Sequence, residues 1–348
     1  MQLLRPVVER GIGSVAVVGM CKNCGKTVSL NRLVQEASTA GLSLGLTSAG
    51  LDGEQADIIW GHRKPAVWVP RGAVLATARE VLGLGSAVLE VLEETGFVSA
   101  LGAVCIARAK EAGTIQLAGP AAGKEIAAVI SRLTTLGAGL VLVDGALDRA
   151  AAAAPTVADG LILAAGAALS SSPERVLAQT RVRLEQLTVP RVADGFLGRG
   201  TKGAVTLWLA DDSLEDSGYP SALGHEQEIA LGMAGRAKGL VLQGALTDGL
   251  ISALVERLRG PVAVVVQDGT RIFVSPHAWK NFLRQGGRVE AIRPITLLAV
   301  TLNPWSPGGW EFDAAEFLTL GRSALGNVPV FDPCQLEKEG EGVGQTQA

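Results

Sequence analysis

The stretch Gly19-Met20-Cys21-Lys22-Asn23-Cys24-Gly25-Lys26-Thr27 decides the fold, because it lies between two runs of different periodicity. The apolar run 14–19 before it predicts a buried strand. The run 26–40 after it predicts a helix with Leu30 and Leu33 on one face. A glycine-bearing loop between a strand and a helix presents backbone N–H groups, and the helix dipole favours an anion there. The stretch therefore predicts a phosphate cradle.

The side chains of this loop suit a triphosphate. The Lys26 ammonium would reach the β- and γ-phosphates, and the Thr27 hydroxyl would bind Mg²⁺. The candidate residues for binding the nucleotide here are Gly19, Lys22, Asn23, Cys24, Gly25, Lys26, Thr27 and Val28. Five residues separate the two glycines, which is longer than the usual spacing of a P-loop. The alternative interpretation is a chance Gly-Lys-Thr at the start of a helix.

An acidic residue is expected opposite Thr27. Asp144 follows the predicted strand 140–143, and a carboxylate at the C-terminal end of a strand is well placed to hold Mg²⁺ directly or through water. Together with Lys26, Asp144 is the candidate catalytic residue. The alternative is a loop-capping aspartate before Gly145, and Asp148 is a weaker second candidate for the metal.

A second acidic stretch follows the predicted strand 42–46. It contains Asp52, Glu54 and Asp57, and Asp52 is a further candidate metal ligand. Such a loop would contact Mg²⁺ or order around the γ-phosphate as a switch. A solvated surface loop is the equally open alternative.

Short apolar runs alternate with helical stretches along the chain, which predicts an α/β fold with a mostly parallel sheet flanked by helices. Further strands are predicted at 101–107, 161–165, 205–209, 240–242, 262–266, 271–274, 297–301 and 328–331, and further helices at 124–136, 170–187 and 314–325. The P-loop domain is expected to comprise 1–168 and 295–333. Residues 170–293 would form an inserted α/β lobe for a partner or substrate, and 337–348 a disordered tail.

Composition excludes several classes of function. The chain has 348 residues, 48% of them apolar, and a formal net charge of −3 without a basic tract, so no nucleic acid is expected. No apolar run approaches the roughly 18 residues of a membrane span, and no charged-then-apolar leader is visible. A cytoplasmic protein is therefore expected. Cys21 and Cys24 are either plain loop residues or redox-sensitive, and no second Cys/His pair accompanies them for zinc.

The long glycine spacing resembles that of the dethiobiotin synthetase and cobyric acid synthase group of P-loop proteins. Val143-Asp144-Gly145-Ala146 is similar to the acidic-Gly-Ala loop of that group, with Asp in place of Glu. In the wider class an Asn after a late strand recognises the base, so the resemblance implies that Asn303 contacts adenine. The resemblance covers 14–168 and 295–333. Dethiobiotin synthetases carry a Lys-Pro after the second strand, used on the substrate, where the corresponding stretch of this chain is Leu46-Thr47-Ser48-Ala49. Without that lysine, carboxylation of an amine and ring closure are doubtful.

Four stretches together resemble the ATP-binding reactivase subunit of adenosylcobalamin-dependent lysine or ornithine aminomutases. They are 19–27, 47–54, 143–149 and 270–276. This resemblance implies a Mg²⁺-dependent ATPase that changes the conformation of an aminomutase, together with a second reactivase subunit, and so releases damaged cofactor. Two other hypotheses stay open: a dethiobiotin synthetase-like ATP-dependent ligase or kinase, and a nucleotide-binding module that uses Cys21 and Cys24 for redox or metal chemistry.

Overall fold

The computed structural model describes residues 2–50, 66–146, 152–193, 201–257 and 260–334. The chain divides into two compact units, Met1–Thr180 with Thr296–Ala348, and Arg181–Ile295. The sequence pattern predicts these divisions at 168–170 and 293–295. The helix Pro173–Leu187 runs through the first division, so no loop marks it. The expected tail 337–348 lies outside the described residues.

The strands, in chain order, are β1 (Ser14–Gly19), β2 (Leu44–Ser48), β3 (Val67–Val69), β4 (Val74–Ala78), β5 (Leu89–Ser99), β6 (Gly102–Ala109), β7 (Gly113–Ile115), β8 (Leu140–Ala146), β9 (Gly160–Gly166), β10 (Val205–Leu209), β11 (Leu214–Asp216), β12 (Ala237–Leu242), β13 (Leu246–Thr247), β14 (Ala263–Val266), β15 (Ile272–Phe273), β16 (Arg288–Ala291), β17 (Leu297–Asn303) and β18 (Val330–Phe331). The α-helices are α1 (Arg5–Glu9), α2 (Lys26–Thr39), α3 (Gly123–Thr135), α4 (Pro173–Leu187), α5 (Glu226–Met233), α6 (Asp248–Arg257), α7 (Pro276–Arg284) and α8 (Ala314–Ala324).

The first unit is built on a nine-stranded sheet in the order β18-β17-β9-β1-β8-β2-β4-β6-β5. All neighbouring pairs from β18 to β4 are parallel, and only the pairs β4–β6 and β6–β5 are antiparallel. Every residue of β1, β2 and β9 is buried, as expected for central parallel strands covered on both faces. The predicted α/β fold with a large, mostly parallel sheet flanked by helices is confirmed.

Helix α2 packs on this sheet through the face that the sequence indicated. Leu30, Leu33 and Val34 are fully buried in one core cluster with Val15 and Val17 of β1. Burial of one leucine side chain contributes about 2 kcal/mol, so this face holds the start of α2 close to the end of β1.

The antiparallel edge of the sheet differs from the prediction. The sequence indicated a single strand at 101–107, whereas β4, β6 and β5 form a three-stranded extension. Two register shifts interrupt the pairing of β5 with β6.

The second unit has its own five-stranded sheet in the order β11-β10-β12-β14-β16. Strands β12, β14 and β16 run parallel, and β10 is antiparallel to both of its neighbours. Its separate core contains Leu240, Val264 and Trp279. Inside this unit the buried Arg183 of α4 donates from Nη1 to the carbonyl oxygen of Ile272 at 2.8 Å. Burial lowers the pKa of this guanidinium to about 10.

In the part of the chain that the structure describes, none of the helices combines the length and the apolar character that crossing a membrane requires.

Candidate functional site

The loop between β1 and α2 closes tightly over the end of its own strand. A Cβ atom placed on Gly19 would come within 2.6 Å of Cys24 Sγ and 3.2 Å of the Cys21 carbonyl oxygen. Gly25 precedes α2 with φ 91° and Asn23 has φ 61°, both in the left-handed region. Glycine is therefore required at position 19 by space and favoured at position 25 by backbone conformation.

The first turn of α2 carries the two residues predicted to act on the phosphates. Lys26 and Thr27 are buried, Lys22 and Asn23 are exposed, and Val28 is half-buried. No side chain caps the helix at Gly25. The helix dipole therefore acts on the space in front of the loop without a protein carboxylate in its first turn.

Lys26 and Asp144 form an ion pair beneath the loop. Lys26 Nζ lies 3.2 Å from Asp144 Oδ1, and the two side chains are only 10% and 14% exposed. Asp144 is opposite Val17 in β1 and Ser48 in β2. It lies inside β8, which continues to Ala146, and not just past the strand as the apolar pattern predicted. The sheet thus brings together the two residues that the sequence named as catalytic candidates.

Thr27 and Asp144 are the described residues that would hold a magnesium ion. Mg²⁺ commonly takes one or two protein oxygens and completes its shell with water and phosphate. The Thr27 hydroxyl, in the first turn of α2, and the Asp144 carboxylate, within β8, would supply such a donor set. The other acidic candidates, Asp52, Glu54, Asp57 and Asp148, lie outside the described residues.

Asn303 lies at the end of β17, on the other side of the loop. Its Nδ2 donates to the carbonyl oxygens of Asn23 and Trp305, at 3.1 Å each, and its Oδ1 accepts from Trp305 N at 3.3 Å. A primary amide has two N–H donors, and both are used here. Asn303 therefore holds the loop between β1 and α2 against β17, and in this arrangement it has no N–H left to donate to a base.

A pair of buried hydroxyl groups strengthens the same junction and was not singled out by the sequence. Ser29 Oγ and Thr301 Oγ1 are 2.7 Å apart, and both residues are buried. Ser29 Oγ also donates to the carbonyl oxygen of Gly25 at 3.0 Å. The signal for this contact was a polar residue in the apolar strand 297–301.

The two cysteines of the loop form a hydrogen-bonded pair. The thiol of Cys21 donates to the sulfur of Cys24, and the backbone N–H groups of Cys21 and Lys26 donate to that sulfur as well. These bonds lower the pKa of Cys24 to about 7, and the same thiol–thiolate bond raises the pKa of Cys21 far above its ordinary range. These donors favour the thiolate form of the buried Cys24 over its thiol form.

Ser48, the last residue of β2, uses its hydroxyl group in two hydrogen bonds. Ser48 Oγ donates to the carbonyl oxygen of Gly50 at 2.8 Å and accepts from Gly119 N at 2.8 Å. A Cβ atom on Gly119 would come within 2.0 Å of the Ser48 carbonyl oxygen, so the segment before α3 packs closely here. Sequence reasoning missed this segment, although a Gly-Pro step before a helix was a usable signal.

No family model, no curated protein and no solved structure matches the chain.

Proposed function

We propose that the chain binds Mg·ATP at the loop 19–27 and hydrolyses it. The observation that carries the proposal is the ion pair of Lys26 with Asp144, 3.2 Å apart, at the start of a helix and within the adjacent parallel strand. A buried cation and a carboxylate at the end of a parallel sheet are the two charges that a transferring phosphoryl group and its metal require. Gly19, Gly25 and the dipole of α2 support the same interpretation.

Each residue has one task in this proposal. Lys26 turns its ammonium from Asp144 to the β- and γ-phosphates, where it neutralises charge that develops as the phosphoryl group leaves. Thr27 and Asp144 would hold the metal, and Asn303 keeps the loop in place through Asn23. Mg²⁺, when bound, would stabilise negative charge on the phosphate oxygens.

We further propose that the output of hydrolysis is a change in a partner protein and not a new covalent bond in a small acceptor. The stretch Leu46 to Ala49, which corresponds by resemblance to the place where dethiobiotin synthetases carry a lysine used on the substrate, contains no lysine, and its Ser48 is engaged by Gly50 and Gly119. The resemblance in four stretches to reactivase subunits of adenosylcobalamin-dependent aminomutases gives the partner class. The second unit, Arg181–Ile295, has its own core and is the candidate partner-binding part.

A reactivase of this kind must bind its partner differently in its two nucleotide states. Moving a partner from 99:1 bound to 1:99 takes about 5.5 kcal/mol of differential affinity, and a nucleotide that binds both states equally shifts nothing. We therefore expect affinity for an aminomutase to differ at least severalfold between the ATP-bound and the ADP-bound protein.

The test is a pull-down of a cobalamin-dependent aminomutase with ATP, ADP or no nucleotide, followed by an ATPase assay of the protein alone and with the mutase. The expected result is nucleotide-dependent binding and faster hydrolysis with the partner, both lost in Lys26→Ala. Equal binding in all three conditions, with hydrolysis stimulated by a small acceptor, would favour the ATP-dependent ligase or kinase instead.

A further inference from the structure

The loop between β17 and α8 is a compact structure of its own at the edge of the phosphate loop. Ser306 N donates to the carbonyl oxygen of Trp310 at 3.1 Å, and Phe312 N donates to that of Pro304 at 3.0 Å. Trp305 and Glu311 form an antiparallel bridge between these bonds. The loop is therefore held by its own backbone and presents its side chains in fixed places.

Two tryptophans of this loop remain exposed to solvent. Trp305 is 42% exposed and Trp310 is 37% exposed, in a chain with only 4% aromatic residues. Trp310 Nε1 donates to the carbonyl oxygen of Ala167 at 3.0 Å, which fixes its ring near the end of β9. A Cβ on Gly308 would come within 2.1 Å of that ring, so glycine lets the loop pass beside it. An exposed aromatic ring held in a fixed place offers a face on which a nucleic-acid base stacks.

Trp305 is close to the phosphate cradle. The Nδ2 atom of Asn303 lies 3.1 Å from the carbonyl oxygen of Trp305 and 3.1 Å from that of Asn23. The side chain of Asn303 thus links the backbone of Trp305 to the loop that would hold the phosphates.

The order of the strands sets the direction in which a bound nucleotide would extend along the edge of the sheet. Strand β8, which carries Asp144, lies on one side of β1. Strands β9 and β17 lie, in that order, on the other side of β1. The terminal phosphate belongs on the side of Lys26 and Asp144, because those charges act on it. The nucleoside, at the other end of the triphosphate, then extends toward β9 and β17, where the described residues offer Trp305 and Trp310.

We propose that Trp305 is the stacking platform for the purine base of the bound nucleotide. This inference rests on the proposed nucleotide-binding function. Both N–H donors of Asn303 are used inside the protein, so stacking carries more of the base recognition than donation from this amide. Stacking accepts any base with a π-face, so ATP and GTP are expected to bind with affinities within about tenfold of each other.

Calorimetry with Mg·ATP and with magnesium tripolyphosphate, which has no base, tests the platform on the full chain. Trp305→Ala is expected to weaken ATP binding about tenfold or more and to leave tripolyphosphate binding within about twofold of the original. Trp305→Phe keeps a ring and restores most of the ATP affinity. Trp68→Ala is the matched control, because Trp68 is 38% exposed on β3 and has no role in the proposal.

The outcomes separate the two proposals. If Trp305→Ala binds ATP like the original chain, or weakens ATP and tripolyphosphate equally, the platform is wrong and the phosphate cradle stands. If the original chain binds neither ligand, the nucleotide-binding function itself fails and the platform with it. Tryptophan emission is a second measurement: quenching by ATP that persists unchanged in Trp305→Phe would also overturn the platform.

Discussion

The ammonium of Lys26 lies 3.2 Å from a carboxylate oxygen of Asp144, and both side chains are almost completely buried. Burial makes this pair sensitive to the loss of one member, because the remaining charge keeps its desolvation penalty without the compensating attraction. This ion pair joins α2, which follows the loop, to β8, which neighbours β1, so it contributes to stability as well as to the proposed chemistry.

Lys26→Ala is expected to lower the free energy of unfolding by about 3 kcal/mol, since it leaves Asp144 buried without the ammonium. Urea unfolding measures this loss of stability. Lys110→Ala is the control, because Lys110 pairs with Glu90 at 2.9 Å but the two side chains are 57% and 48% exposed. That exposed pair contributes less than about 1 kcal/mol. Equal midpoints for Lys26→Ala and the original chain would mean that the buried pair is energetically neutral.

The same variant tests the nucleotide site. Mg·ATP binding, measured by calorimetry at a temperature where Lys26→Ala is still folded, is expected to be abolished, because the variant lacks the charge that meets the β- and γ-phosphates. Lys110→Ala is expected to bind normally. Unchanged binding in Lys26→Ala would contradict the P-loop assignment.

Asp144→Asn is expected to slow hydrolysis by about 100-fold while weakening nucleotide binding much less, because the carboxylate acts on the metal that stabilises the transferring phosphoryl group. A steady-state ATPase assay beside calorimetry separates the two effects. Asp212→Asn, which changes an exposed carboxylate of the second unit, is the control. Equal turnover in Asp144→Asn would move the metal role to Asp52, Glu54 or Asp148.

Gly25→Ala is expected to destabilise the protein more than Gly41→Ala. Both glycines have positive φ, 91° and 73°, so alanine meets a backbone cost of about 1 kcal/mol at each. Only at Gly25 would the added Cβ also lie 2.8 Å from Asn303 Cβ, whereas nothing lies within 4 Å of that atom at Gly41. Thermal unfolding of the two variants gives the comparison. Equal losses of stability in the two variants would show that the loop and β17 move apart at no cost in free energy.

The sequence predicted the central parallel part of the fold well, for a physical reason. Buried parallel strands are continuous apolar runs, so 14–19 and 161–165 were recognised to within a residue at each end. The strand β5 has exposed residues on both faces and two register shifts, so neither alternation nor an apolar run marked it. The two-residue strand β13 is shorter than any periodic signal, whereas β15 lies within the predicted strand 271–274.

The candidate site was predictable in its residues but not in its contacts. Gly19, Gly25, Lys26 and Asp144 followed from spacing and from their place at strand and helix ends. The pairing of Lys26 with Asp144 depends on the order β1-β8, and the hold of Asn303 on Asn23 depends on β17 lying two strands from β1. Sequence patterns give element types but not the order of strands in a sheet, so these contacts could not be derived.

The last prediction concerns the proton shared by Cys21 and Cys24. Cys24 has a pKa of about 7 because it accepts from the Cys21 thiol and from the backbone N–H groups of Cys21 and Lys26. The ultraviolet absorbance of the thiolate is therefore expected to rise with a midpoint near pH 7, and Cys24→Ser should remove the step. Cys105→Ser should leave it, because burial raises the pKa of Cys105 above its ordinary 9.0.

The pair also makes stability depend on pH. Between about pH 7 and 9.0 the folded pair holds one proton while two free thiols of the unfolded chain hold nearly two, so stability rises with pH through this window. Above 9.0 the unfolded chain loses both protons and the folded chain keeps that of Cys21, so stability falls again. Urea unfolding across this range should show the maximum, on the order of 2 kcal/mol, in the original chain but not in Cys24→Ser.

Ligand binding completes this test, because phosphates would use the same loop. A bound triphosphate places negative charge beside the Cys24 thiolate and competes for the N–H group of Lys26, so its binding must raise the Cys24 pKa. The thiolate midpoint is expected to move upward when tripolyphosphate is added, and to stay in place when Lys26→Ala is titrated with the same ligand. If calorimetry shows that the chain binds tripolyphosphate but the thiolate midpoint does not move when it is added, the phosphates bind outside the loop that contains Cys24.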